Sequence, residues 1–165
     1  METGENITKQ PIRNGNGRIL YRGSFVFWFC GVCLLVACEQ AIKKIIFSIP
    51  VPQHAGWFGL AHFFNDRFAF SLPVPVVFMY GIYFFVLAAI AAYLKFQWGA
   101  LTRLSRFAWA LIVAGAVSNI GERLLLGSVR DYIRLSTGIF NLADGYILMG
   151  MFILLWVSHT PNPKK

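Results

Sequence analysis

Residues 139–157 read IFNLADGYILMGMFILLWV. The run approaches the roughly 20 apolar residues that a helix needs to cross a hydrocarbon core, yet it carries one carboxylate, Asp144, near its start. A charge at the centre of a bilayer costs at least roughly 2.5–3.5 kcal/mol, so an acid in such a run marks a functional site whose partner lies elsewhere in the chain. Read as a membrane span, this stretch makes the whole chain a polytopic membrane protein.

The composition agrees. Of 165 residues 57% are hydrophobic and 16% aromatic, and the mean hydropathy is +0.59, outside the range of soluble globular domains. Three more apolar stretches, 24–47, 74–94 and 104–121, have span-like lengths. The expected fold is an all-α polytopic membrane protein with four transmembrane helices. An outward, partly β-like aromatic segment joins helices 1 and 2, and an outward loop joins helices 3 and 4. Residues 1–23 read as a poorly ordered basic cytoplasmic tail, 24–158 as the membrane domain and 159–165 as a cytoplasmic C-terminal tail.

A net charge of +8 raises the question of nucleic acid, but the basic residues flank the spans and form no continuous patch, which excludes that partner. They report topology instead. Lys9, Arg13, Arg18, Arg22, Lys95, Arg103, Arg106, Lys164 and Lys165 fall on one side of a four-span arrangement, and Arg67, Arg123, Arg130 and Arg134 on the other. The positive-inside rule then puts both termini in the cytoplasm, with 48–73 and 122–138 facing outward.

Polar residues cluster at the outer ends of the spans. Glu39 and Lys43 are four apart with the acid first, the better order for an ion pair on one helix face. Such a pair is either self-neutralising or one wall of a site. In Ser118-Asn119-Ile120-Gly121-Glu122-Arg123 the same spacing makes two adjacent polar faces. Asp131 is the candidate partner of Asp144. On one continuous helix the two would stand about 20 Å apart, but Ser136-Thr137-Gly138 is a turn signal that lets the chain bring both acids to one surface. Asn141, three residues before Asp144, can share that surface. Two carboxylates in one small site share a proton, and such a pair can activate water against a peptide carbonyl. The residues alone leave open a structural alternative, a scaffold or small transporter in which Asp131 pairs with Arg130 or Arg134.

Together these motifs resemble the lipoprotein signal peptidase (signal peptidase II) family. Ser118 to Arg123, Gly127-Ser128-Val129-Arg130-Asp131-Tyr132-Ile133 and Phe140-Asn141-Leu142-Ala143-Asp144 resemble its C-terminal signature. Glu39-Gln40-Ala41-Ile42-Lys43 resembles its first-span element, and Asn65-Asp66-Arg67-Phe68-Ala69-Phe70-Ser71-Leu72 its outward element. The resemblance runs from about residue 24 to 157. It implies Asp131 and Asp144 as catalytic acids, with Asn65, Asn119, Arg123, Asn141, Lys43 and Glu39 in substrate-binding or supporting roles and no metal or organic cofactor. It implies diacylglyceryl-prolipoprotein substrates cut before the lipidated cysteine, at the outer face of the bacterial inner membrane. Membrane lipid is an implied partner, and a monomer is expected. Ser118, Glu122, Glu39 and Arg67 depart from the family's glycine, aspartate, aspartate and glycine.

Other chemistries fit less well. Cys30, Cys33 and Cys38 all fall in the first span and read as small packing residues, although Leu35-Val36-Ala37-Cys38 also looks like a lipidation site. Against that, three spans follow. His54 and His62 lack the HExxH helix of a zinc protease, and no GxSxG-like serine is present. A transporter would show internal repeats, and none is visible.

Overall fold

The computed structural model describes residues 22–51, 57–66 and 74–160. Lys9, Arg13, Arg18, His54, Arg67, the 68–72 part of the outward element and residues 161–165 lie outside them. Among the described residues, four helices are long and apolar enough to cross a membrane: α1 (Arg22–Ser48), α2 (Val76–Gln97), α3 (Arg103–Leu126) and α4 (Leu142–His159). Between them run three strands, β1 (Gly59–Asn65) after α1, and β2 (Val129–Leu135) and β3 (Gly138–Phe140) between α3 and α4.

Helix α3 is the core of the bundle. It packs against both α1 and α4, and its buried face, including Ala108, Leu111, Ile112, Gly115, Ser118, Asn119 and Glu122, recurs at helical spacing. The small residues on this face let backbones approach, which is how helices associate where lipid removes the hydrophobic drive. A Cβ at Gly115 would collide with the Ala143 carbonyl, and one at Gly150 would meet the Ala108 carbonyl at 2.6 Å. Helix α3 starts at Thr102, whose side chain accepts from the Ser105 N–H, and ends at Gly127 with φ of 74°, a left-handed conformation that glycine adopts freely. Helix α2 stands further off and meets α3 through side chains: the Tyr80 hydroxyl donates to the Arg123 carbonyl at 3.0 Å, and the Tyr93 ring lies 5.1 Å from Trp109.

The strands form one antiparallel sheet in the order β1-β2-β3. Asn65 pairs with Val129 and Phe63 with Asp131, and Ile133 pairs with Phe140. Because side chains alternate along a strand, β2 has two working faces. Arg130 and Tyr132 point toward α1, where Phe47 stacks on His62 and meets Phe64 edge-on. Asp131 points the other way.

Three expectations change. The third span continues past 121 to Leu126, so Glu122 and Arg123 belong to the helix and not to the outward segment. The loop expected between helices 3 and 4 is a β-hairpin, and its turn at Ser136-Thr137 ends in β3. Helix α4 therefore starts at Leu142, not at 139, which moves Asp144 from within a span to its first turn. The cysteines are corrected too: Cys30, Cys33 and Cys38 are free and exposed on α1, not buried in packing, and Cys33 lines a groove shared with α2 and α3.

Candidate active site

Helix α4 begins with a capping box. Asn141 is the N-cap: its Oδ1 accepts from the Asp144 N–H at 3.0 Å, and its own backbone N–H donates to Asp144 Oδ2 at 3.2 Å. The sequence folds this way because asparagine followed three residues later by an acid satisfies two orphan donors of a helix start reciprocally. The consequence is a fixed rotamer for Asp144, held at the positive end of the helix dipole. Its other oxygen, Oδ1, accepts from Asn119 Nδ2 of α3 at 2.8 Å.

Asp131 arrives from β2 and is 1% exposed. Its Oδ2 accepts from Asn65 Nδ2 of β1 at 3.0 Å, and its Oδ1 accepts from Asn141 Nδ2 at 2.6 Å. That same Nδ2 donates to Asn119 Oδ1 at 3.1 Å. Asn141 therefore touches both acids, and the three asparagines bind the pair into one network. Burial pushes the Asp131 carboxyl above the usual carboxylate range. The donors Asn65 and Asn141 pull the other way, the negative charge of Asp144 adds to the rise, and Lys43 opposes it.

Beneath the acids lies a buried charge cluster. Lys43 and Glu39 of α1 are both 0% exposed. Lys43 Nζ is 2.7 Å from Glu122 Oε2 and 3.4 Å from Glu39 Oε1, and it donates to Asn119 Oδ1 at 3.3 Å. Glu122 also accepts from the Arg130 backbone N–H at 3.1 Å and from Arg130 Nε at 2.7 Å. Two acids and two bases thus balance in a low-dielectric interior, where an unpaired charge would be costly. The departures at 39, 118 and 122 are absorbed here. Both glutamates reach Lys43, and Ser118 Oγ accepts from Gln40 Nε2 at 2.9 Å, which ties α1 to α3.

Of the residues singled out from sequence, Asp131, Asp144, Asn65, Asn119 and Asn141 meet directly, and Lys43 joins them through Asn119. Glu39 stands one bond further away, beyond Lys43. Arg123 is buried, with its guanidinium over the Tyr83 ring at 5.9 Å. Glu122 is gripped by Lys43 and Arg130. Arg130, a possible partner for Asp131 in the structural alternative, is thus engaged with Glu122. Sequence reading missed Tyr132, whose hydroxyl donates to Glu39 Oε2 at 3.0 Å and accepts from the Leu142 N–H at 3.2 Å. Its signal was the strand alternation of Val129 to Ile133, which puts residue 132 on the face opposite Asp131.

Comparison with known proteins gives a consistent picture. The family described as "Signal peptidase (SPase) II" matches residues 31–160. A lipoprotein signal peptidase of Aeromonas hydrophila is 30% identical over 152 residues, covering 84% of this chain and 91% of its own. One from Chlamydia trachomatis is 35% identical over 144 residues, covering 81% and 84%. Among solved structures, one described as a bacterial membrane enzyme at 2.3 Å resolution superposes with a TM-score of 0.68 at 21% identity, covering 90% of this chain and 97% of its own. A second such structure, at 1.9 Å, gives 0.69 at 20% identity. At that identity the superposition speaks for the fold.

Proposed function

This chain belongs to the signal peptidase II family, and from that membership we propose that it cuts diacylglyceryl-modified prolipoproteins just before the lipidated cysteine, with Asp131 and Asp144 as a proton-sharing dyad. The observation that carries the reading is the meeting of both acids on Asn141, 2.6 Å from one and 3.2 Å from the other. Asp131, pushed up by burial and by its neighbour's charge, holds the shared proton and donates it to the scissile carbonyl oxygen. Asp144 takes a proton from the attacking water. The tetrahedral intermediate then collapses: the C–N bond breaks, the proton gained by Asp144 passes to the departing amine, and the hydroxyl formed from the carbonyl oxygen returns its proton to Asp131 as the C=O bond re-forms. Asn65, Asn119 and Asn141 hold the oxygens in place; Lys43, Glu39 and Arg123 support them from behind.

The dyad's depth explains the lipid requirement. Asp144 lies in the first turn of α4 and Asp131 in the adjoining sheet, so the scissile bond must be presented at the membrane edge. A signal peptide's apolar segment of roughly 7–15 residues can slide in the bilayer. Two acyl chains on the cysteine fix it, because withdrawing each buried CH₂ costs about 0.8 kcal/mol. Trp57 and Phe58, strongly exposed beside β1, suit a headgroup-level clamp on the same side. The charge asymmetry supports both termini in the cytoplasm and the dyad at the outer face; the chain is read as a monomer of the bacterial inner membrane. The test compares one prolipoprotein with and without its diacylglyceryl group. A large fall in kcat/KM without the lipid is expected; equal rates would overturn the depth argument.

A further inference from the structure

An α-helix leaves its first backbone N–H groups without partners inside the helix. In α4 the Asp144 N–H is taken by Asn141 Oδ1, but Leu142 and Ala143 come earlier and need outside acceptors. Leu142 finds the Tyr132 hydroxyl at 3.2 Å. The same hydroxyl donates its one proton to Glu39 Oε2 at 3.0 Å. Tyr132 is buried, and burial together with the charge of Glu39 keeps its phenol protonated. The hydroxyl is thus a fixed two-way connector between the first span and the helix that bears Asp144.

Its place in β2 gives this connector a catalytic meaning. Tyr132 follows Asp131 directly, and the two side chains leave the strand on opposite faces. On one face Asp131 is joined to the start of α4 through Asn141; on the other Tyr132 is joined to it through Leu142. The first turn of α4 is held on both sides of one strand. With the Tyr132 link gone, Asp144 keeps its bonds to Asn141 and to Asn119 of α3, but the start of α4 loses this tether on the Tyr132 side of the strand.

We propose that Tyr132, acting with Glu39, is a positioning residue of this peptidase: its hydroxyl caps α4 from outside and sets where Asp144 stands relative to Asp131. The inference rests on the dyad reading above. Misplacement of reacting groups by about 1 Å can cost on the order of 100-fold in rate, so loss of one of two anchors is expected to register in turnover more than in substrate binding.

The test uses the purified full chain and a diacylglyceryl-prolipoprotein. Tyr132→Phe removes only the hydroxyl oxygen and its proton. It is expected to lower kcat about tenfold with KM within about twofold, a drop of about 1.4 kcal/mol in transition-state stabilisation, and to raise amide hydrogen exchange in residues 140–146. Glu39→Leu, which removes the anchor from its other end, should show the same pattern. Glu39→Gln, which keeps an acceptor for the hydroxyl, should lose less. If the two residues act as one device, Tyr132→Phe combined with Glu39→Leu loses no more than the worse single variant. Parent-like kcat and exchange in Tyr132→Phe would overturn the proposal, as would a rise in KM alone or a double variant whose losses multiply. A parent protein that fails to cut the substrate would instead overturn the proposed function, while the exchange measurement would still decide whether Tyr132 caps α4.

Discussion

The side-chain amide of Asn141 donates to Oδ1 of Asp131 at 2.6 Å, bridging strand β2 and the start of helix α4. One residue thereby serves as a helix cap and as the brace between two acids. The two duties are separable. Asn141→Ala should lose both, with about 1 kcal/mol of stability gone and cleavage abolished. Asn141→Ser keeps a capping oxygen but is too short to reach Asp131, so stability should return to within about 0.5 kcal/mol of the parent while cleavage stays low. Thermal unfolding and cleavage rates of both variants check this; activity restored by serine would separate Asn141 from the acids.

Lys43 is the cation on which Glu39 and Glu122 converge. Lys43→Met leaves two buried carboxylates facing each other with only Arg130 and Tyr132 to hold them. A destabilisation of about 3–5 kcal/mol is expected, the cost of breaking a buried pair from one side. Denaturant titration in detergent micelles measures it. A change below about 1 kcal/mol would mean that water reaches the cluster.

The α3–α4 contact depends on two glycines. Gly150→Ala would set a Cβ 2.6 Å from both the Ala108 carbonyl and Ile112 Cγ1, and Gly115→Ala would drive one into the Ala143 carbonyl, beside Asp144. Both should destabilise by about 1–3 kcal/mol, and the second should also reduce cleavage. Gly81→Ala, with nothing within 4 Å, is the neutral comparison. Equal melting temperatures in all three would contradict the packing described.

The pH dependence follows from Asp131. Its folded-state pKa is raised, mainly by burial, so its favourable contribution is complete below the ordinary carboxylate range and is lost as pH rises through the raised value. Asp131→Asn cannot ionise and escapes that loss. The melting temperature of the variant relative to the parent should therefore climb as pH rises above about 4. A difference that stays constant over that rise would mean that Asp131 ionises as easily folded as unfolded.

Much of this was legible in the sequence because lipid imposes simple rules. Span length placed all four helices, and the i, i+4 spacing of Glu39 with Lys43 and of Asn119 with Arg123 marked the polar faces. The start of α4 was misjudged because Ile139 and Phe140 are as apolar as the helix that follows; hydropathy does not distinguish a strand entering a helix from the helix itself. The capping box of Asn141 and Asp144 carried the correct boundary. The hairpin from Val129 to Phe140 was partly readable from β-branched alternation and the Ser136-Thr137-Gly138 turn signal. Pairing of β1 with β2, which delivers Asn65 to Asp131, was not, because partner choice between strands more than sixty residues apart depends on how α1 and α3 bring their ends together. The grip of Arg130 on Glu122 is likewise a product of tertiary placement.

The most direct test of the dyad is single-turnover cleavage of a diacylglyceryl-prolipoprotein by the purified parent, Asp131→Asn and Asp144→Asn, each shown to be folded by its melting transition. The expected result is rapid release of the signal peptide by the parent, with cleavage just before the lipidated cysteine, and none by either variant. Substantial cleavage by either folded variant would contradict the assignment of Asp131 and Asp144 as the pair that activates water.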